Sequence, residues 1–357
     1  MSDQTYDAIV VGGRVAGALS AAHLAERGLS VLVLESGHFP SATLSTHFFR
    51  GDGLVRSLDR LGVLETLVAQ APPLTCEYFF AGGAADAETN PAQEPGDAGF
   101  GLSVRRETLD HLVASRVAAL PNVDFRTGVR VADVLSEDGT VTGVRDETGE
   151  SHRATVTVGA DGRRSGVARR VEADIQERHD GVRGIYYCYV NGWTRPDGGP
   201  ADGPEFSLSG NEMAYVFPSD AGTTCIALSV SAQEFELSRR DMPAYFRSRL
   251  AAHAGLWPRF QAAPSDEQLF AAMPEDSVVR AACGPGWALV GDAGTHQDPW
   301  SGFGMDTAAR QAEALGSAMT SDASSWNSTY AQARDDVTLP RFHSTVTAAP
   351  DLSVLLG

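Results

Sequence analysis

The sequence has no lysine; all 28 of its Lys+Arg residues are arginine. A Walker A phosphate loop needs a lysine to reach the phosphates, and a pyridoxal phosphate enzyme needs one for its Schiff base. Both classes are excluded. Cysteine is scarce as well. Cys76, Cys188, Cys225 and Cys283 stand far apart, without CxxC or CxxH spacing, so neither a metal site nor a disulfide framework is indicated. Positive charge is short overall, with a net of −18 at pH 7. Nucleic acids and anionic membrane surfaces demand clustered positive charge, so neither is an expected partner. No apolar run approaches the roughly 20 residues that span a bilayer, and no basic leader with a cleavage site is visible. The expected location is cytoplasmic.

What is present begins at the start of the chain. Ala8, Ile9, Val10 and Val11 form an apolar run of strand length. Gly12, Gly13, Arg14, Val15, Ala16 and Gly17 make a tight turn. Residues 18–27 have helical composition and stop at Gly28, a natural C-cap, and residues 31–34 read as a second buried strand ending on Glu35. Strand, glycine-rich turn, helix, strand and an acid about 20 residues on make the dinucleotide-binding βαβ unit. The helix N-terminus offers unpaired N–H groups and partial positive charge to a pyrophosphate. Glu35 is placed to accept hydrogen bonds from a ribose hydroxyl pair. One residue departs from GxGxxG: Arg14 stands at the second glycine, where a side chain obstructs close backbone approach to phosphates.

A chain of 357 residues is long enough for two ordinary domains or one large one. Residues 53–67 read as a helix, 75–81 as a strand, and 82–99 as an exposed hairpin tip or loop without periodicity. A helix follows over 105–120, then strands over 123–134, 141–145 and 154–158, the last feeding Gly159, Ala160, Asp161 and Gly162. From about residue 171 the character changes, and segments at 184–192, 205–208, 213–217 and 224–231 read as an antiparallel meander. A helix at 241–253 and a strand at 268–273 follow. Residues 287–290 return to a buried strand, 307–319 are helical, and 322–357 have mixed helical content without a motif.

Two later stretches carry chemistry. At 158–169 a strand delivers Asp161 and Gly162 into a turn followed by Arg163, Arg164 and Ser165. At 286–308 Asp292 ends a strand, Pro299 breaks the loop, and Gly302, Phe303 and Gly304 open a helix. Together with the opening turn and the R-x-x-L-D element from Arg106 to Asp110, these stretches make the chain resemble flavin monooxygenases of the para-hydroxybenzoate hydroxylase type. That superfamily also holds geranylgeranyl reductases. The resemblance covers roughly the first 320 residues.

The resemblance implies an α/β fold with a Rossmann-like FAD-binding domain and a second domain built on a mostly antiparallel sheet. The expected division is 1–75, 100–172 and 277–320 for FAD, 76–99 and 173–276 for substrate, and 321–357 as a C-terminal helical segment. It implies FAD as cofactor and NAD(P)H as electron source, used directly or through a separate flavin reductase. Gly12, Gly13, Ala16 and Gly17 would face the pyrophosphate, and Glu35 with Ser36 the adenosine ribose. Arg106 would lie near the pyrophosphate and ribityl chain with Asp292, and Val131 would offer backbone groups to adenine. Asp161 would serve both FAD and NAD(P)H. Thr46 would lie beside the flavin, and Gly302, Phe303, Gly304 and Met305 at its pyrimidine edge. Arg14 is expected to turn from the helix axis and lay its guanidinium near the pyrophosphate or the flavin.

The reaction so implied is hydroxylation or epoxidation of a mid-sized aromatic or polycyclic, secondary-metabolite-like substrate, with oxygen activated as a flavin C4a-hydroperoxide. His47 and His296 are the candidate catalytic residues, the alternatives being a surface or core histidine and a loop hydrogen bond. A histidine with Asp298 is a candidate general base. Tyr187, Tyr189, Tyr215 and Phe217 alternate as one strand face should, forming either a substrate ceiling or ordinary core, and Trp300 and Phe303 either wall the cavity or serve packing alone. Reduction of carbon–carbon double bonds is the alternative reaction. Halogenation is disfavoured, since the W-x-W-x-I-P motif and the lysine of flavin halogenases are both missing.

Overall fold

The computed structural model describes residues 5–45, 47–81, 84–89, 97–264, 268–319 and 325–356. Strand β1 (Thr5–Val11) lies inside an eight-stranded sheet, flanked in parallel by β2 (Val31–Glu35) and β3 (Ser151–Gly159). Val123–Thr127 and Trp287–Leu289 extend the parallel array on either side. Every residue of β2 is buried, the near-continuous apolar pattern of a strand covered on both faces. A hairpin of Val131–Glu137 and Thr140–Asp146 joins β3 antiparallel.

Helix α1 (Val15–Glu26) starts directly after the two-glycine turn, with Arg14 as its N-cap residue. Its alanines bring it close to the sheet and to a later helix, α3 (Gly304–Ala318), where a Cβ on Gly316 would meet His23. The single helix read over 53–67 is two helices, Asp52–Arg60 and Leu64–Gln70, because Gly62 takes φ +70° between them. Helix α2 (Arg106–Ala118) packs against α1.

The second sheet has seven strands, in the order Phe270–Ala272, β4 (Arg183–Asn191), Thr223–Ser231, Glu212–Pro218, Glu205–Ser209, Glu77–Ala81 and Ala84–Thr89. All neighbours are antiparallel except Glu205–Ser209 with Glu77–Ala81. The period of two divides β4 cleanly. Tyr186, Cys188 and Val190 face a core with Phe235 and Phe246, while Ile185, Tyr187 and Tyr189 face Phe48 and Phe217 on the other side.

The loop expected over 82–99 is in part strand. Ala84–Thr89 pairs with Glu77–Ala81, and Asp97–Ser103 pairs with Phe48–Gly51; the rest of that stretch lies outside the described residues. Backbone pairing overrides the poor strand propensity of Gly, Ala and Asp there. The mixed C-terminal segment contains one long helix, α4 (Trp326–Ala348), which carries Pro340 inside it and packs on α3. Among the described residues no helix is long and apolar enough to cross a membrane.

Candidate functional site

Parallel strands end on one edge of a sheet, and in open α/β sheets ligands bind outside those carboxyl ends. Here β1, β3 and Trp287–Leu289 deliver three turns to that edge: Gly12 to Arg14, Ala160 to Gly166, and Gly291 onward. A cavity of about 920 Å³ opens between them. Of the residues marked in the sequence, it is lined by Gly12, Arg14, Ala16, Glu35, Ser36, Arg106, Val131, Asp161, Asp292, Gly302, Gly304 and Met305, and by His47, His296 and Tyr187. Gly13, Gly17, Phe303, Tyr189, Tyr215, Phe217 and Trp300 lie off its wall. Thr46 lies outside the described residues.

The glycines work by absence of bulk. Gly12 takes φ +99°, and a Cβ there would stand 2.5 Å from the Ala160 carbonyl oxygen. A Cβ on Gly17 would overlap the Gly12 carbonyl, and one on Gly13 would strike the Phe125 ring. Gly13 and Gly17 therefore let the turn close on sheet and helix, and do not themselves face the cavity. Neither α1 nor α3 has a side-chain cap at its N-terminus, and a Cβ on Gly304 would meet nothing within 4 Å. Two helix N-termini with uncapped N–H groups thus open on one cavity, a donor set suited to phosphate or an electron-rich ring edge. Glu35 is buried and accepts the Gly13 and Gly37 N–H groups, each at 2.7 Å. Asp161 accepts the Gly166 and Val167 N–H groups at 2.7 and 3.1 Å and the Ser165 hydroxyl, so its carboxylate shapes its own turn.

Arg14 lines the cavity, and protein groups hold its guanidinium there. The guanidinium leaves the helix axis, Nη1 donates to Asp110 Oδ2 at 2.7 Å and to the Ser41 carbonyl at 3.2 Å, and Nη2 donates to the Ser41 hydroxyl at 3.0 Å. Arg106 grips the same fully buried carboxylate, through Nε at 3.0 Å and Nη2 at 3.1 Å. One acid, at the end of the R-x-x-L-D element, holds both arginines against the cavity.

His47 sits at φ +68°, in contact with β4. Its Nε2 and the Tyr189 hydroxyl are hydrogen-bonded, the two rings stack at 5.8 Å, and Tyr187 meets it edge-on at 6.1 Å. Burial, and then the charge of Arg106, push its imidazole down to about 3, so it is neutral at physiological pH and a weak base. Tyr189 stands behind His47. Tyr215 and Phe217 stay in the apolar core because Phe48 stacks on Phe217 at 4.7 Å and itself takes the cavity wall. His296 Nδ1 lies 3.3 Å from Asp292 Oδ2. Burial disfavours charge on His296, but Asp292 outweighs it and raises the imidazole above its ordinary value.

The turn after Pro299 is fastened from outside by α4. Trp300 Nε1 donates to the Thr345 carbonyl at 3.0 Å, the Thr345 hydroxyl donates to Ser301 Oγ at 2.9 Å, and the Arg341 guanidinium lies 4.6 Å from the centre of the Phe303 ring. Arg341 also pairs with Asp306, a buried acid in the first turn of α3. These contacts turn Trp300 and Phe303 away from the cavity. Arg341→Met keeps the aliphatic stem and removes the cation. It is expected to cost about 1–2 kcal/mol of stability in urea unfolding, because Asp306 keeps its pair with Arg310.

Asp298 is 4% exposed and lines the cavity. Burial lifts its carboxyl to about 6, against the opposing Trp300 N–H, Arg183 and His296. An acid with a raised folded value binds more protons folded than unfolded between about 4 and 6, so its contribution to stability falls as pH rises through that window and is constant above it. The loss is about 3 kcal/mol. Asp298→Asn keeps the shape and removes the charge. The variant is expected to show a flatter pH–stability curve over that window and to match or exceed the parent above pH 6 in urea unfolding.

Comparison with known proteins agrees with this geometry. The chain is 28% identical over 332 residues to digeranylgeranylglycerophospholipid reductase 2 of Methanothermobacter thermautotrophicus, spanning 87% of this chain and 77% of that one. It is 26% identical over 340 residues to the ubiquinone hydroxylase UbiL of Rhodospirillum rubrum, spanning 88% and 72%. In three dimensions it is similar to PqsL of Pseudomonas aeruginosa in complex with 2-aminobenzoylacetate, with a TM-score of 0.80 at 20% identity over 98% of this chain and 97% of that one. The model of the FAD binding domain family matches residues 5–337, and the chain belongs to that family as an FAD-dependent oxidoreductase of the para-hydroxybenzoate hydroxylase type.

Proposed function

We propose that the chain is an FAD-dependent monooxygenase that hydroxylates or epoxidises a mid-sized aromatic or polycyclic substrate of secondary metabolism. Electrons come from NAD(P)H, directly or through a separate flavin reductase, and the setting is cytoplasmic. One observation carries the reading: a single cavity bounded by two uncapped helix N-termini on one side and by His47, Phe48, Ile185 and Tyr187 on the other. The first side suits the cofactor and the second an aromatic substrate. In this reading 1–75, 100–172 and 277–320 carry FAD, 76–99 and 173–276 carry substrate, and 321–357 braces the turn after Pro299.

Bound FAD supplies the redox chemistry and the activation of oxygen. The first turn of α1 and Gly12 would hold its pyrophosphate, and Val131 the adenine. Glu35 has lone pairs left for a ribose after its two backbone bonds. Arg106 and Asp292 would serve the ribityl and pyrophosphate region, Asp161 would shape the adjoining turn, and the Gly302–Gly304 backbone would meet the ring edge. The partial positive charge at the start of α3 stabilises negative charge there. Apolar side chains of β4 and Phe48 orient the substrate ring and exclude water. His296, made more basic by Asp292, holds or passes a proton at Nδ1.

The test is oxidation of NADH or NADPH by the FAD-loaded enzyme, with and without an added flavin reductase, across a panel of aromatic metabolites. A productive substrate accelerates NAD(P)H and oxygen consumption together; no acceleration across the panel, with flavin that stays oxidised, contradicts the reading. A second reading, reduction of carbon–carbon double bonds, is favoured by the likeness to the digeranylgeranylglycerophospholipid reductase. It predicts product formation without oxygen. Halogenation is disfavoured by the absence of lysine from the whole chain.

A further inference from the structure

Most polar side chains around the cavity are already engaged. Among its seven lining arginines, Arg14 and Arg106 bind Asp110, Arg163 and Arg164 bind Glu275, Arg130 pairs with Glu147 and Arg170 with Asp133. The seventh, Arg169, donates to the Arg164 carbonyl at 2.6 Å. No unengaged cation therefore waits in the wall. What is left over is of the opposite kind.

Asp298 accepts the Trp300 N–H on Oδ1 at 3.1 Å, and its Oδ2 has no donor among the described residues. Arg183, whose charge acts on it, is held by Ser229, Asn211 and the Ala349 carbonyl, and donates nothing to it. Two other residues of the wall add to this: among the described residues, Gln297 Oε1 and His47 Nδ1 are buried without a hydrogen-bond partner. The side of the cavity is fixed by geometry: the carbonyl of Trp300 accepts from the Tyr215 hydroxyl at 3.1 Å, which ties the Asp298 turn to the seven-stranded sheet. That sheet also supplies Ile185, Tyr187 and Ala272, the apolar wall.

We propose that Asp298 is the hydrogen-bond acceptor for the substrate, selecting aromatic compounds that carry an O–H or N–H donor and rejecting those that carry a carboxylate in its place. This rests on the reading of the cavity as a monooxygenase site. A ligand lacking the donor leaves a buried carboxylate oxygen unpaired, and a carboxylate ligand adds like charge at short range in a poorly screened space.

The experiment uses FAD-loaded enzyme without NAD(P)H and measures dissociation constants from perturbation of the bound-flavin absorption spectrum. The probes are matched trios of a mono- or bicyclic phenol, its methyl ether and the corresponding carboxylate, with 1-naphthol, 1-methoxynaphthalene and 1-naphthoate among them. The parent is expected to bind at least one phenol about tenfold or more tightly than both partners. Asp298→Asn, which keeps size and can still accept the Trp300 N–H, is expected to bring the carboxylate to within about threefold of the phenol by relieving repulsion. Asp298→Ala is expected to erase the preference for phenol over ether. A parent that binds no phenol more tightly than its partners, or Asn and Ala variants that keep the parental ratios, overturns the proposal. The readout needs no turnover. If the ratios fail while oxygen-dependent turnover is found, only the role of Asp298 falls; if the ratios hold while no oxygen is used, the monooxygenase reading falls instead.

Discussion

Asp110→Ala is expected to cost about 3–5 kcal/mol of folding stability and to weaken FAD binding in the same variant. Asp110 is fully buried and, among the described residues, is the one acid that Arg14 and Arg106 share, with Arg14 at 2.7 Å and Arg106 at 3.0 and 3.1 Å. Removing it leaves two guanidinium groups beside the cavity without their counter-charge. A surface ion pair would cost little, about 0–1 kcal/mol, so burial is what makes the effect large. Urea unfolding measures the stability loss, and titration of the apoprotein with FAD measures the affinity. Restoring size without charge, as Asp110→Asn, should recover only part of either. A loss below about 1 kcal/mol would show that the two arginines find other partners as readily.

The second large effect is expected at Gly12→Val. The backbone there sits at φ +99°, a region hostile to a β-branched side chain, and the Ala160 carbonyl oxygen would stand 2.5 Å from the new Cβ. Strain and overpacking together amount to about 2–6 kcal/mol. Because the strained turn is the one that opens α1 toward the cavity, FAD affinity is expected to drop by at least about a hundredfold, giving colourless protein on purification. Gly304→Ala is the control for folding. Its Cβ meets nothing within 4 Å, so the variant should unfold at the parental urea concentration.

The opening unit was legible because strand, turn and helix each announce themselves locally. The run ending in Val11 is apolar, two glycines turn the chain, and small residues fill α1. The boundary of α1 shifted because a turn of Gly12 and Gly13 needs no further residues before the helix begins at Val15. Arg14 is the instructive case. Its direction away from the helix was readable, but its partner lies 96 residues on at Asp110, and no local pattern joins them. The same holds for Phe48, which covers Phe217 and takes a wall position the alternation rule assigned to the latter. That rule names the face of a strand; what reaches the cavity from that face depends on who packs over it.

The bracing of the turn after Pro299 by α4 was also invisible. Arg341 and Thr345 are four apart on a helix whose sequence carries no motif, and only the packing on α3 shows what they hold. Asp298 was noted beside a histidine as a general base. The structure gives a more specific picture, a buried acid whose second oxygen has no protein donor among the described residues. Isolation of that kind is a property of the surroundings, and the chain order of Gln297, Asp298 and Pro299 does not encode it.

The most direct test of the central claim is the origin of the oxygen atom in the product. The FAD-loaded enzyme, NAD(P)H and an accepted aromatic substrate are incubated under isotopically labelled dioxygen in ordinary water, and the product is weighed by mass spectrometry. The account predicts a product that gains one labelled oxygen atom and a reaction that stops under nitrogen. A product that carries no label, or that forms equally fast without oxygen, contradicts it.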